Sequence, residues 1–418
     1  MRRRAGRAPR PAARVDRVAG PLLTLLALAL AEALLWLVPP SGLVRAEELE
    51  RCAAPGWCGP SRRVRRLDPV VGYANRAGAD EFVPLAEHPG GGYHFRTDGL
   101  GLRRDGEVAV PKPAGVLRVL VLGDSQIEGY VDNDEHYPHL LEERLRSPGG
   151  GRVEVLNAAV GGYGPLQYYL WYRAAGERLE PDLVVVHLYV GNDFWDVMNR
   201  TTEEVPSAAL DAHGDPRLAP LWQADYAQHW TRKWLRDHSR LFDLARLSLA
   251  AIERWRAPPV DAERALRLSA ECHGCLSQHF LQIAQGSPDL LARARADSLT
   301  LLALMRRQVE GRGARFVVVL VPTRAQVEPQ DARTEVERAA AVLQLGDEQL
   351  RSNDRLYRVV LAAAGEAGIP VIDAWPALAA GATAERLYYR RDWHLNPAGH
   401  RVLAESVAAA LVGGGHIG

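Results

Sequence analysis

The chain has 418 residues, enough for one large domain or two smaller ones, and its 47% hydrophobic content is that of a globular protein. Its 51 basic and 51 acidic residues cancel, and all but two of the basic ones (Lys112 and Lys233) are Arg. With Ala also abundant, this is the mark of a biased genomic base composition. No Arg-rich aromatic platform of the kind single strands require is present, so nucleic-acid binding is excluded.

Seven Arg stand among the first 17 residues against the single acid Asp16. An apolar run follows from Leu22 to Val38, interrupted by Thr24 and Glu32 and stopped by Pro39 and Pro40. A basic flank ahead of such a run predicts a membrane signal anchor over 19–40, with residues 1–18 cytoplasmic and the remainder outside. Seventeen residues is about the lower limit for a span, and a cleaved signal peptide stands as the alternative. Residues 41–115 read as an extracytoplasmic lead-in, rich in Pro and Gly, with strand-like pieces such as Gly92 to Arg96. Four cysteines allow three pairings, of which the local ones, Cys52 with Cys58 and Cys272 with Cys275, are the simplest. A redox role for Cys272 and Cys275 would need a strand before and a helix after them, whereas 263–270 reads as helical. The spacing of His273 and His279 does not match a zinc-finger pattern, so no metal is expected.

From residue 116 onward, short apolar runs alternate with helical periods. Strands are expected at 117–122, 153–156, 183–190, 315–321 and 369–373, and helices at about 134–146, 166–178, 289–311, 353–367 and 398–411. Continuous apolar runs of this length are those of a parallel sheet covered on both faces, a three-layer α/β/α sandwich of the flavodoxin-like kind. Between about 197 and 288 the pattern changes to helical spacing without a clear strand, which predicts an inserted helical subdomain or lid. Trp222 and Trp230 within it are candidates for stacking on sugar rings, against the alternative that they build the subdomain core.

Four blocks follow the expected strands or precede the last helix. The first run ends in Gly123-Asp124-Ser125, the second leads to Gly161-Gly162, and the third to Gly191-Asn192-Asp193. The last block is Arg391-Asp392-Trp393-His394. Taken singly, Gly162 reads as a turn glycine, Asn192 as a strand-end cap and His394 as a polar group at a helix start. Taken together they match the needs of acyl transfer. A serine hydroxyl needs a base within reach, His is suited to take and return its proton, and a carboxylate orients that His. The oxyanion then needs fixed donors, of which a backbone N–H at a glycine and a side-chain amide are two. An α/β-hydrolase elbow requires Gly at 127, where this chain has Ile. Asp124 reads as the residue that holds the turn.

These blocks resemble those of the SGNH (GDSL-type) hydrolases, over about Arg118 to Val412. The resemblance implies a Ser125 nucleophile, a His394 base oriented by Asp392, and oxyanion donors at Ser125, Gly162 and Asn192. Many members space the last pair as Asp-x-x-His, whereas the Asp-x-His form found here is seen in relatives that modify exopolysaccharides. Thr97 to Arg103 resembles the lead-in of membrane-linked members. The implied protein is a bacterial inner-membrane, single-pass serine esterase with its catalytic domain (116–418) in the periplasm. Its expected substrate is an ester, an O-acetyl group of a cell-envelope or exported polysaccharide, with no cofactor required. An O-acyltransferase using the same residues, or a polysaccharide-binding pseudoenzyme, are the alternatives.

Overall fold

The computed structural model describes residues 15–38, 64–68, 70–146, 152–194, 239–256, 288–334 and 355–417, with four short strands and a few single positions besides. The chain opens with α1 (Val15–Leu37), whose Gly20–Leu37 stretch has a mean hydropathy of 1.9 and is not buried anywhere along its length. It is long and apolar enough to cross a membrane. Three antiparallel pairs follow: β1 (Cys52–Ala54) with β2 (Trp57–Cys58), β3 (Arg65–Asp68) with β4 (Gly72–Asn75), and β5 (Asp80–Pro84) with β6 (Gly92–Arg96). The first pair sets Cys52 opposite Cys58 in register.

The core then runs β7 (Val116–Leu122), α2 (Ser125–Glu128), α3 (Tyr137–Leu145), β8 (Arg152–Asn157), α4 (Pro165–Ala174) and β9 (Leu183–Tyr189). Within the insertion lie β10 (Ala208–Leu210), β11 (Pro216–Leu218) and α5 (Arg240–Arg256). The fold resumes with α6 (Pro288–Glu310), β12 (Arg315–Val321), α7 (Arg324–Val327), α8 (Arg355–Glu366), β13 (Val371–Asp373), α9 (Trp375–Gly381) and α10 (Pro397–Gly413). The β10–β11 hairpin corrects the expectation that 197–288 holds no strand. Strands of three residues are too short to show a period of two.

Five strands form one parallel sheet in the order β13-β12-β9-β7-β8. The runs of Val and Leu in β7, β9 and β12 are buried on both faces, and alternate residues serve opposite cores. Val119, Val121, Val185 and Val317 meet Tyr137, Leu141, Leu403 and Val407 from α3 and α10. Leu120, Leu122, Val186 and Val318 meet Leu166, Met305 and Val360 from α4, α6 and α8 on the other face. This is a three-layer α/β/α fold with flavodoxin-like strand order. The order reverses at β7, so the crevice outside the carboxyl ends of β7 and β9 is where such sheets place ligands.

One polar residue interrupts the apolar period of β7. Arg118 is fully buried and directly opposite Glu154 of β8 in register, with Nη2 donating to its carboxylate at 2.8 Å. Its remaining N–H groups reach the carbonyls of Leu179 at 2.7 Å and Ala109 at 2.9 Å, so the buried cation is bonded throughout. Removing one partner of a buried pair costs about 3–5 kcal/mol, while replacing both by apolar groups costs far less. The exposed Arg152 also pairs with Glu154, which favours the low end of that range. Arg118→Met is therefore expected to lower the stability of the full chain by about 3 kcal/mol. Chemical denaturation checks this, with the Arg118→Met, Glu154→Leu double variant recovering most of the loss.

Candidate active site

The strand β7 turns sharply into α2 at Gly123, where a Cβ would lie 2.8 Å from the side chain of Ile127. Asp124 caps the short helix, its Oδ1 accepting from the Gln126 N–H at 3.0 Å. It is buried, and burial pushes its carboxyl up to about 6 against the opposing pull of the nearby His394. Ser125 is half-buried at the start of the helix, with its neighbours Asp124 and Gln126 inside.

His394 reaches Ser125 from the other end of the chain. Its Nε2 lies 2.8 Å from Ser125 Oγ, and its Nδ1 makes a short hydrogen bond with Asp392 Oδ1. With Nδ1 donating to the carboxylate, Nε2 is the acceptor for the serine hydroxyl. Burial disfavours the imidazolium, but the Asp392 charge and hydrogen bond outweigh it, and the His394 pKa is raised above its usual value. Between the two residues, Trp393 has φ of +68°, a left-handed conformation that costs energy for a bulky residue. It is held by burial of the indole, by the Arg324 guanidinium 5.1 Å above its ring, and by the Trp393 N–H donating to the Tyr389 carbonyl.

Two residues that sequence reasoning missed fix this loop. Gln126 has no solvent exposure, and its carboxamide takes the backbone on both sides of His394. Its Nε2 donates to the Trp393 carbonyl at 3.2 Å and its Oε1 accepts from the Leu395 N–H at 3.0 Å. Tyr130 stacks on the imidazole itself, with ring centroids 4.0 Å apart and planes 20° from parallel. Neither carried a signal in the sequence, because the partners lie more than 250 positions away.

The loop after β8 passes beside the serine. The Val160 N–H donates to the Gly123 carbonyl, and a Cβ on Gly161 would stand 3.4 Å from that of Ser125. Gly162 has φ of +81°, and a Cβ there would lie 2.5 Å from the Tyr73 hydroxyl, so the position favours glycine and any side chain would be strained. Asn192 is buried in the turn after β9, on the same edge of the sheet. That turn is tied down by Asp193, which accepts from the Tyr189 N–H at 2.9 Å and the Tyr168 hydroxyl at 3.0 Å.

The lead-in braces all of this. Glu128, fully buried, receives Arg65 at both carboxylate oxygens (2.5 and 2.7 Å), the Asn75 amide at 3.3 Å and the Gly161 N–H at 3.1 Å. Tyr73 donates to the Gly161 carbonyl at 2.8 Å. Arg103, from the stretch 97–103, is buried and donates to the carbonyls of Glu128, Gly129 and Val131. Residues 64–103 are thus built into the rear wall of the site.

Among the described residues one cluster has metal-ligand spacing, His88, Asp132 and Glu135. His88 Nδ1 accepts the Gly90 N–H at 3.1 Å, which leaves the proton on Nε2, donated to Glu135 at 2.8 Å. A metal at Nε2 would have to displace that proton and its bond to Glu135, so the cluster reads as a hydrogen-bonded pair. Trp222, Trp230, Cys272 and Cys275 lie outside the described residues.

Residues 284–416 match the family described as "SGNH hydrolase-like domain, acetyltransferase AlgX". The matched segment contains Asp392 and His394, with the other three blocks lying before it. No curated protein sequence matches the chain. Similar solved structures include a GDSL-like lipase from Bacteroides thetaiotaomicron, at 13% identity and TM-score 0.35, covering 73% of this chain and 93% of that one. A catalytic mutant of Axe2, an acetylxylan esterase from Geobacillus stearothermophilus, is similar at 12% identity and TM-score 0.35 over 69% of this chain and 91% of its own. A member of the lipolytic G-D-S-L family from Veillonella parvula is similar at 11% identity and TM-score 0.34, covering 71% and 98%.

The Gln126 clamp makes its own prediction. Misplacing a reacting group by about 1 Å can cost on the order of 100-fold in rate. Gln126→Ala is expected to lower kcat by roughly 10- to 100-fold on an ester substrate with little change in KM. Steady-state kinetics alongside a thermal melt check this, since a merely destabilised protein would lose active fraction and not kcat per folded molecule.

Proposed function

We propose that the chain is an SGNH-type serine esterase working through an acyl-enzyme on Ser125. The observation that carries this reading is the hydrogen-bonded chain from Ser125 Oγ through His394 to Asp392. Ser125 attacks the ester carbonyl as its proton passes to His394 Nε2, and the resulting imidazolium is stabilised by Asp392 on one side. The Tyr130 ring lies against its face, where a cation is attracted to the π-system. The N–H groups of Ser125 and Gly162 and the Asn192 amide receive the oxyanion, each contributing about 2.7–4 kcal/mol to the transition state. Collapse expels the alcohol, protonated by His394, and leaves the acyl group on Ser125. Water, activated by the same His394, then releases the acid.

The acyl group is an O-acetyl ester, and the alcohol a hydroxyl of a cell-envelope or exported polysaccharide. Support comes from the acetyltransferase description of the matching family and from α1 with its Arg-rich flank, a pattern that by the positive-inside rule favours a catalytic domain outside the cytoplasm. The same family description favours a second reading. A sugar hydroxyl replaces water in the last step, making the protein an O-acetyltransferase with the identical acyl-enzyme.

Ser125→Ala is expected to abolish hydrolysis of short-chain aryl esters without altering the thermal melt. Unchanged turnover in that variant would remove Ser125 from the mechanism. The base must be neutral to accept a proton, and its pKa is raised by Asp392. The acid limb of kcat/KM should therefore fall above the ordinary His value of about 6.5, with activity lost as the pH drops through it. Asp392→Asn should move that limb to lower pH and cut kcat by up to about four orders of magnitude. Product analysis with an acetylated glycan, with and without an acceptor sugar, separates hydrolysis from transfer.

A further inference from the structure

The helix α1 is not apolar throughout, and its polar positions near the C-terminal end are in use. The Glu32 carboxylate accepts from the Trp36 indole at 2.8 Å, the Ser239 hydroxyl at 2.8 Å, and the backbone N–H groups of Arg240 at 2.7 Å and Leu241 at 3.1 Å. It is thus an anionic cap on the start of α5, satisfying donors that a helix end leaves open. Arg240 answers by placing its guanidinium 4.6 Å over the Trp36 ring and donating to the Leu35 carbonyl at 3.2 Å. Elsewhere on α1, Leu22, Leu23, Leu26, Leu30 and Leu34 are each more than half exposed.

Depth follows from helix geometry. At about 1.5 Å per residue, Glu32 stands roughly 7–8 Å before Leu37. A helix spanning about 30 Å of hydrocarbon then puts the start of α5 near the boundary of acyl chains and headgroups. Trp residues favour that level, and interfacial amphipathic helices lie there. The sequence of α5 has the matching character. Asp243 faces inward, buried and paired with Arg246 at 2.7 Å, while Ala245, Ser248 and Leu249 are exposed. The helical period puts the half-buried Leu241 on the outward side as well. Arg240, Arg246, Arg254 and Arg256 outnumber Asp243 and Glu253, a balance that suits anionic headgroups.

We infer that α5 is an interfacial helix, lying on the bilayer surface beside the mouth of the α1 span and pinned there by Glu32. The inference rests on the reading of α1 as a retained span, because cleavage after Val38 would strip α5 of its cap. It makes the insertion that follows Asn192 a second point of membrane contact for the catalytic domain.

The test uses the full chain in vesicles of phosphatidylethanolamine and phosphatidylglycerol. A nitrobenzoxadiazole label is attached to Ser248→Cys or, as a control, to Glu143→Cys, whose native side chain is 55% exposed. Background from the native cysteines is taken from the unsubstituted chain. The label at 248 is expected to be quenched by spin-labelled lipid and to be several-fold less accessible to aqueous iodide than the label at 143. Adding Glu32→Ala should abolish that protection while the chain still resists carbonate extraction. Equal iodide access at both positions would overturn the inference. Protection without lipid quenching would do the same, pointing to a second protein surface, and so would protection that survives Glu32→Ala. Carbonate extraction of the parent chain, or an N-terminus beginning after Val38, would instead reject the span itself.

Discussion

A carboxylate with no access to water must be bonded on every side, and Glu128 is the group on which the site's construction turns. It sits one helical turn after Ser125. Its oxygens take the Arg65 guanidinium, the Asn75 amide and the Gly161 N–H. Three segments that are separate in sequence, the lead-in, the serine helix and the loop carrying Gly162, therefore share one anion. None of them can shift without leaving a buried charge partly unpaired, which is why the lead-in is built into the same unit as Ser125. The Tyr73 hydroxyl, donating to the Gly161 carbonyl and filling the space where a side chain at 162 would project, applies the same constraint from the opposite side.

The proposed base, His394, is held by a different device. His394 arrives on a loop whose central residue, Trp393, adopts a left-handed conformation, so the loop must be fastened from outside. Gln126 supplies the fastening by imitating a strand partner to the residues on either side of His394, and Tyr130 closes over the ring. Both belong to the segment immediately after Ser125. The proposed nucleophile thus carries with it the groups that locate its own base, and the two are positioned as one unit across the fold.

Most of the architecture was legible in the chain. Apolar runs rich in Val and Leu marked the five parallel strands, because a strand buried on both faces has no need of alternation, and each run gave way to a helical period. That α1 is long and apolar enough to cross a membrane follows from length and hydropathy alone. The short hairpin of β10 and β11 escaped, since three residues per strand carry no period. The Thr97-to-Arg103 stretch was legible only as a lead-in, and the buried Arg103 lies at the back of the site.

What the sequence determined by itself was local: which residues form strands, where turns demand glycine, and which side chains have chemistry to offer. The blocks around Ser125, Gly162, Asn192 and His394 were visible because each stands next to its own strand or helix. The tertiary structure alone decided how those groups are held. Glu128 could as well have been a solvated helix residue, Gln126 a neutral one, and Glu32 a flaw in an apolar run. Each acquires its role from partners tens to hundreds of positions away. Desolvation forces a buried polar group to find partners, but which partners it meets depends on the folded path of the chain, and no local pattern encodes that.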